Sequence, residues 1–184
     1  MKTTIALVAF TLLVPVAASA QGARLNLSFL DRLADKASEK QEITIDSSML
    51  KTAAGGLVPA GPKGDAARQV LSELEGVYVR SYEFDDPRAF SMDDINAIRK
   101  QLSTPGWTRI VANEEKGKGG DFELQEVWLF NPGGKLGGIF IINAEPGELQ
   151  VVNVVGPIDL AKIAALGGIL GIPGGIAAGI GIGK

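Results

Sequence analysis

Apolar residues recur at helical spacing in the first two thirds of the chain. Leu27, Leu30, Leu33, Ala34 and Ala37 fall at helical spacing, and the charged pairs at 31–32 and 35–36 lie among them, which is typical of an amphipathic helix. Ser91 precedes a similar pattern, and Asp94 follows it three residues later, as in a capping box. Helices are therefore predicted over residues 28–38 and 65–75 and from residue 91 to the Pro-Gly pair at 105–106, with a helical turn at 48–54.

The pattern elsewhere consists of short runs rich in β-branched and aromatic residues, separated by turn-forming stretches. Turns such as Asn131-Pro132-Gly133-Gly134 are short enough to predict antiparallel hairpins. Strands are predicted over residues 77–84, 107–113, 122–130, 135–143 and 149–155, with a further short β-branched run at 42–46. The predicted class is α+β, with an antiparallel sheet of about five strands, helices mainly on one face and a last helix over residues 158–166.

The first 20 residues have the pattern of a cleavable secretory signal. Lys2 provides a positive start, and residues 3–16 form an uncharged apolar run that is short for a membrane span. Ala18-Ser19-Ala20 then matches the small-x-small pattern that a signal peptidase recognises. We expect a mature chain that begins at Gln21 and is exported to the periplasm or the extracellular space.

Composition narrows the chemistry that the mature chain can perform. The sequence has no cysteine, which excludes disulfides, thiolate nucleophiles and a lipoprotein anchor, and no histidine, which removes the commonest general base and metal ligand. The net charge of −3 and the lack of a basic stretch argue against a nucleic-acid partner. These absences favour a non-catalytic role without excluding an enzyme, and neither a cofactor nor a metal site is predicted.

Several predicted strands place one charged group among apolar neighbours on the same face. Alternation puts Glu126 between Leu124 and Trp128, while Arg80 and Arg109 occupy similar positions on two other strands. Three interpretations remain open. Glu126 and an arginine could line a ligand pocket, or they could form a buried or half-buried ion pair that fixes the register of the strands, because a buried charge is expected to be paired. The polar groups could also lie on an exposed second face of the sheet.

The end of the chain is a glycine-rich apolar tail. Between Lys162 and Lys184 lie 21 residues without a charge, long enough to span a bilayer. A glycine occurs at every fourth position, a spacing that allows close helix–helix approach in a membrane. Pro173 and the many glycines instead favour a flexible tail in water. The glycines proposed for association are Gly167, Gly171, Gly175, Gly179 and Gly183.

The order of several segments over residues 27–166 is similar to a known family. These segments read LSFLDRLADKASEKQEITID, GVYVRSYEF, FELQEVWLF, GGIFIINA and LQVVNVVGPIDL. They resemble the DUF4252 family of exported bacterial proteins, to which no function is assigned. The resemblance implies no catalytic or ligand residue. Many relatives carry a lipoprotein cysteine, which this chain lacks.

The sequence therefore predicts a signal peptide at residues 1–20, one α+β domain at 21–166 and the tail at 167–184. We expect an exported envelope protein that acts as a non-catalytic binding module, with an envelope protein or the membrane as its partner through the tail. The alternative is a small-ligand binder or enzyme that uses a carboxylate–arginine pocket.

Overall fold

The computed structural model describes residues 22–56, 61–117 and 121–159. The predicted signal peptide, the tail and nearly all of the helix predicted over residues 158–166 lie outside these ranges. In the described chain, four α-helices accompany one six-stranded sheet. The helices are α1 (Asp31–Ala34), α2 (Ser47–Gly56), α3 (Pro62–Glu73) and α4 (Met92–Leu102). The strands are β1 (Glu39–Asp46), β2 (Gly76–Glu83), β3 (Trp107–Lys116), β4 (Phe122–Phe130), β5 (Gly138–Glu145) and β6 (Glu148–Val155).

The predicted α+β class with an antiparallel sheet is confirmed. The strands run in the order β1-β2-β6-β5-β4-β3, and every neighbouring pair is antiparallel. The sheet has six strands rather than about five, because the β-branched run at residues 42–46 extends back to Glu39 and pairs with β2 along its whole length. Strand β6 joins the two halves of the sheet, since it pairs with both β2 and β5.

The prediction that the helices lie mainly on one face is wrong. Helices α1 and α4 pack on one face of the sheet, which we call the α4 face, and α2 and α3 pack on the other, the α2–α3 face. Successive residues of a strand point to opposite faces. Since Ile141 and Ile142 of β5 are both almost fully buried, both faces must be covered.

Several predicted boundaries move for local reasons. The helix predicted over residues 28–38 is a 3-10 turn (Ser28–Leu30) followed by α1, because the Ser38 amide donates to the Glu83 carbonyl and thereby joins the sheet. The capping box at the start of α4 is confirmed, with the Ser91 amide 2.9 Å from an Asp94 carboxylate oxygen. Strand β5 begins three residues later than predicted, since Pro132–Gly134 forms a 3-10 turn.

An N-terminal segment, residues 22–28, crosses the α4 face and is fixed there by side chains of the sheet and of α4. Asn153 of β6 accepts a hydrogen bond from the Leu25 amide at 3.0 Å and donates to the Ala23 carbonyl at 3.0 Å. The Gln101 side chain makes two reciprocal hydrogen bonds with the backbone of Asn26. We call this segment the strap. Its packing explains why Asn153, a polar residue among the apolar residues of β6, can be almost fully buried.

Candidate functional site

The buried carboxylate of Glu126 is the first candidate that the sequence indicated. It lies on the α4 face of β4 with no exposed surface, as the alternation of that strand predicts. Arg99 of α4 donates to Oε1 at 2.8 and 3.2 Å, and Arg109 of β3 donates to the same oxygen at 2.5 Å. The indole Nε1 of Trp128 donates to Oε2 at 2.9 Å. Glu126 therefore accepts four hydrogen bonds from its own chain.

The sequence identified only part of this group. Pairing of Glu126 with Arg109 is confirmed, whereas Arg80 belongs to a different group, because two strands, β6 and β5, lie between β2 and β4. Arg99 was not among the predicted residues, although it directly follows Ile98, a fully buried residue of α4. Sequence spacing alone does not show which turn of a helix will meet a given strand.

A β-bulge in β3 completes the Glu126 group. Arg109 pairs with Trp128 and Val111 with Val127, so Ile110 is the extra residue. The bulge reverses the alternation after Arg109. Val111 would share the face of Arg109 in a regular strand, but it instead packs on the α2–α3 face. Glu114 is brought to the α4 face, where its carboxylate lies 3.2 Å from Arg99.

The electrostatics of this group keep Glu126 ionised. Burial acts to raise the pKa of the Glu126 carboxyl, but hydrogen bonds from Arg99, Trp128 and Arg109 outweigh it, and the pKa lies below its usual value of 4.5. A general acid or base near neutral pH needs a pKa moved toward 7, which is the opposite direction. Within the described residues, every buried side-chain nitrogen and oxygen has a hydrogen-bond partner. The group is therefore suited to hold α4 on the sheet rather than to transfer protons.

Arg80 belongs to a second group, at the open edge of the sheet on the same face. Its guanidinium lies 2.5 Å from Asp31 and 3.2 Å from Glu42, and it also donates to the Leu27 carbonyl of the strap at 2.8 Å. Beside it, a cleft of about 340 Å³ opens between the strap and strands β1 and β2. The Arg24 guanidinium stacks on the Tyr78 ring in this cleft, 4.3 Å from the ring centroid. Arg80 and Arg24 both line this cleft.

A third feature, which the sequence analysis missed, lies on the α2–α3 face of the sheet. It is the part of that face beyond the buried apolar residues that pack with α2 and α3. There the register aligns one polar side chain from each strand across the whole sheet. We call these residues the amide row: Gln41, Ser81, Gln150, Asn143, Gln125 and Asn113. Neighbouring amides approach to 3.4 Å in the pairs Asn143–Gln150 and Asn113–Gln125.

The next row on this face consists entirely of glutamates. Glu39 pairs with Glu83, Glu83 with Glu148, Glu148 with Glu145, and Glu115 with Glu123. The Leu124–Ala144 pair places Glu123 beside Glu145 one step further along the register. All members are exposed. We call them the glutamate row: Glu39, Glu83, Glu148, Glu145, Glu123 and Glu115.

The two rows form a shallow trough over the last four strands. It has a volume of about 310 Å³, and four amides and four glutamates of the two rows line it. Among the described residues that line it, none is a lysine or arginine. Partial burial raises the pKa of the Glu148 carboxyl, and the adjacent charges of Glu145 and Glu83 raise it further. The trough is therefore a locally electronegative surface.

A signal for these rows was present in the sequence. Every strand carries a glutamate two positions from an amide or hydroxyl residue, at the end of the strand that lies on this side of the sheet. The order of the two residue types reverses with strand direction, as in S-Y-E of β2 and E-L-Q of β6. The pattern becomes visible only when the strands are arranged in their antiparallel register.

The comparisons with known proteins bear on the family alone. A family model described as a domain of unknown function, DUF4252, matches residues 35–166. A search of curated proteins finds no match. In the described part of the chain, no helix is long and apolar enough to cross a membrane. The tail glycines Gly167, Gly171, Gly175, Gly179 and Gly183 lie outside that part.

Truncation of Glu126 should strongly destabilise the domain. We expect Glu126→Ala to lower the free energy of unfolding by about 3–5 kcal/mol, because it leaves two arginines at a buried site without their carboxylate. Glu114→Ala is the matched control, since Glu114 contacts Arg99 but is partly exposed, and we expect a loss of about 1 kcal/mol or less. Urea denaturation measures both. Equal losses for the two variants would contradict the assignment.

Glu126 should also contribute to the pH dependence of stability. Because its pKa is lower in the folded than in the unfolded chain, its stabilisation is fully present above about pH 4.5 and is lost as the pH falls through the folded value. The free energy of unfolding should therefore fall less steeply below pH 4.5 in Glu126→Gln than in the unmodified protein. Urea titrations at several pH values test this, and parallel curves would rule it out.

Proposed function

The chain belongs to the DUF4252 family, and from that premise we propose that it is an exported, non-catalytic binding protein whose contact surface is the amide row and the glutamate row. The observation that carries the proposal is the register that aligns twelve polar side chains on one sheet face. Isolated polar residues on a sheet are ordinarily solvated. Two complete rows, each drawn from six separate strands, form a continuous surface of the size that a polypeptide partner can contact.

The chemistry of the interior supports a non-catalytic role. The most buried carboxylates, Glu126 and Asp94, are engaged by arginines of the same chain, and Asp94 also caps α4. The sequence has neither histidine nor cysteine to act as base or nucleophile. The described chain therefore uses its buried charges to hold helices and strands together, and its patterned polar groups face solvent.

A second candidate function is small-ligand binding in the cleft beside Arg80. Arg24 and Tyr78 form a cation–π pair there, and Glu42 also lines the cleft. The predicted carboxylate–arginine pocket would then involve Arg80, whose charge is already balanced by Asp31 and Glu42. We rank this candidate second because the guanidinium of Arg80 is committed to its own chain.

The tail completes the proposal. We propose that residues 167–184 associate with the envelope membrane or with an envelope protein, through the glycines at every fourth position, while the folded domain presents its polar rows to a partner. The mature protein would then be held close to a membrane by its tail.

Site-specific photo-crosslinking in cells tests the contact surface. A benzophenone side chain replaces Asn143 in the amide row, Thr44 in the cleft beside Arg80 or, as a control, Ser72 on the exposed side of α3. We expect discrete crosslinked products from position 143 and none from position 72. Products from position 44 alone would place the protein contact at the cleft beside Arg80 and contradict the proposed surface. An absence of products at position 143, in protein shown to be folded and exported, would contradict the proposed surface.

Export and tail association predict the form and location of the mature protein. Mass spectrometry of the protein from its native host should show an N-terminus at Gln21, because the signal peptidase recognises Ala18-Ser19-Ala20. A version that ends at Leu166 should leave the membrane fraction while its thermal stability stays nearly unchanged. A mature chain that retains Met1 would refute export by cleavage, and identical fractionation of both versions would refute the role of the tail.

A further inference from the structure

We propose that the partner presents an extended basic polypeptide segment, rich in lysine or arginine, which lies across the strands along the glutamate row. This inference rests on the proposed binding function and specifies the chemistry of the partner. It depends on three properties of the surface: its sign of charge, its dimensions and the amides that lie beside the charged groups.

The negative charge of the glutamate row favours a basic partner. Like charges on directly opposite residues of neighbouring strands destabilise a sheet, and the glutamate row contains four such pairs in register: Glu39–Glu83, Glu83–Glu148, Glu148–Glu145 and Glu115–Glu123. The described residues that line the trough include no cation to offset this repulsion. A partner with positive charge relieves it, whereas nucleic acid and anionic lipid headgroups are repelled. Partial burial raises the pKa of Glu148, and the adjacent charges of Glu145 and Glu83 raise it further.

The length and straightness of the glutamate row fit an extended polypeptide segment. Neighbouring strands are about 4.8 Å apart, so six carboxylates in register extend over roughly 24 Å. An extended polypeptide rises about 3.3 Å per residue, and seven or eight residues therefore cover the row. Side chains on one side of such a segment recur about every 6.6 Å, and the flexible stems of lysine and arginine can adjust that spacing to the carboxylates. A folded metal site would instead need ligands that converge on one point, which a straight row does not provide.

The amide row favours a polypeptide over a simple polycation, because a polypeptide has backbone groups that amides can hydrogen-bond. Each asparagine or glutamine side chain offers both donors and an acceptor. Placed beside the carboxylates, Gln125, Asn143 and Gln150 can hydrogen-bond the backbone amides of a segment whose basic side chains reach the glutamates. The hydrogen bonds between neighbouring amides are long, at 3.4 Å. Replacing them with hydrogen bonds to a partner's backbone therefore costs little free energy.

Binding of a labelled decalysine peptide to the mature full-length protein, followed by fluorescence anisotropy, tests the inference. The row variant carries Glu123→Gln, Glu145→Gln and Glu148→Gln. The matched control carries Asp35→Asn, Glu75→Gln and Asp85→Asn, which remove the same charge from exposed positions outside the trough. We expect the row variant to weaken binding on the order of tenfold and the control to change it less than about twofold, with both effects reduced at high salt.

A third variant separates peptide recognition from bulk charge. Gln125→Ala, Asn143→Ala and Gln150→Ala leave the charge intact, and we expect them to weaken decalysine binding but not binding of spermine, a cation without amide groups. Equal losses in the row variant and the charge-matched control, or no decalysine binding at low salt, would overturn the inference. If a variant is unfolded by circular dichroism, Glu145→Gln alone is compared with Asp85→Asn.

The outcomes distinguish this inference from the function on which it rests. Crosslinks from position 143 together with failure of decalysine to bind would retain the contact surface and reject a basic partner. Decalysine binding that depends on the glutamate row, without crosslinks in cells, would support the chemistry of the surface and reject its use by an envelope partner under those conditions.

Discussion

The fold depends on how one buried carboxylate is neutralised. Glu126 lies fully buried on the α4 face of β4, beside the edge strand β3, where an isolated charge would be prohibitively costly, and the chain surrounds it with Arg99, Arg109 and Trp128. These partners come from α4, β3 and β4, so the carboxylate joins a helix and the edge strand to the sheet. A buried pair of this kind contributes less net stability than its Coulomb energy suggests, but removal of one member is expensive. The position of α4 is therefore tightly specified.

The same principle organises the strap. A backbone segment that lies flat on an apolar sheet face would bury unpaired amides and carbonyls. Asn153 supplies both a donor and an acceptor to that backbone, and Gln101 repeats the arrangement from α4. Arg80 fixes the end of the strap by donating a hydrogen bond to the Leu27 carbonyl, and it also forms ion pairs with Asp31 and Glu42. Buried polar groups in this protein thus serve its own architecture.

The outer surface has the opposite character. On the α2–α3 face, helices cover the apolar rows, while the amide and glutamate rows beyond them face solvent. The buried charges are paired with groups of opposite charge, whereas the described residues of the glutamate row all carry negative charge. This contrast locates the proposed function on the surface of the sheet rather than in the cleft beside Arg80, and it is why we expect a partner of opposite charge.

Local pattern was sufficient for the helices α3 and α4, the capping box of Ser91 and Asp94, five of the six strands, and the expectation that Glu126 would be buried with an arginine. These features depend on residues that are close in sequence or on the alternation within one strand. Only the tertiary structure decided four other features. These are the helices on both faces of the sheet, the pairing of Glu126 with Arg99 rather than Arg80, the bulge at Ile110 and the alignment of the two polar rows. Each of them depends on which strands become neighbours and in what register, and a single chain read in order contains no direct measure of either.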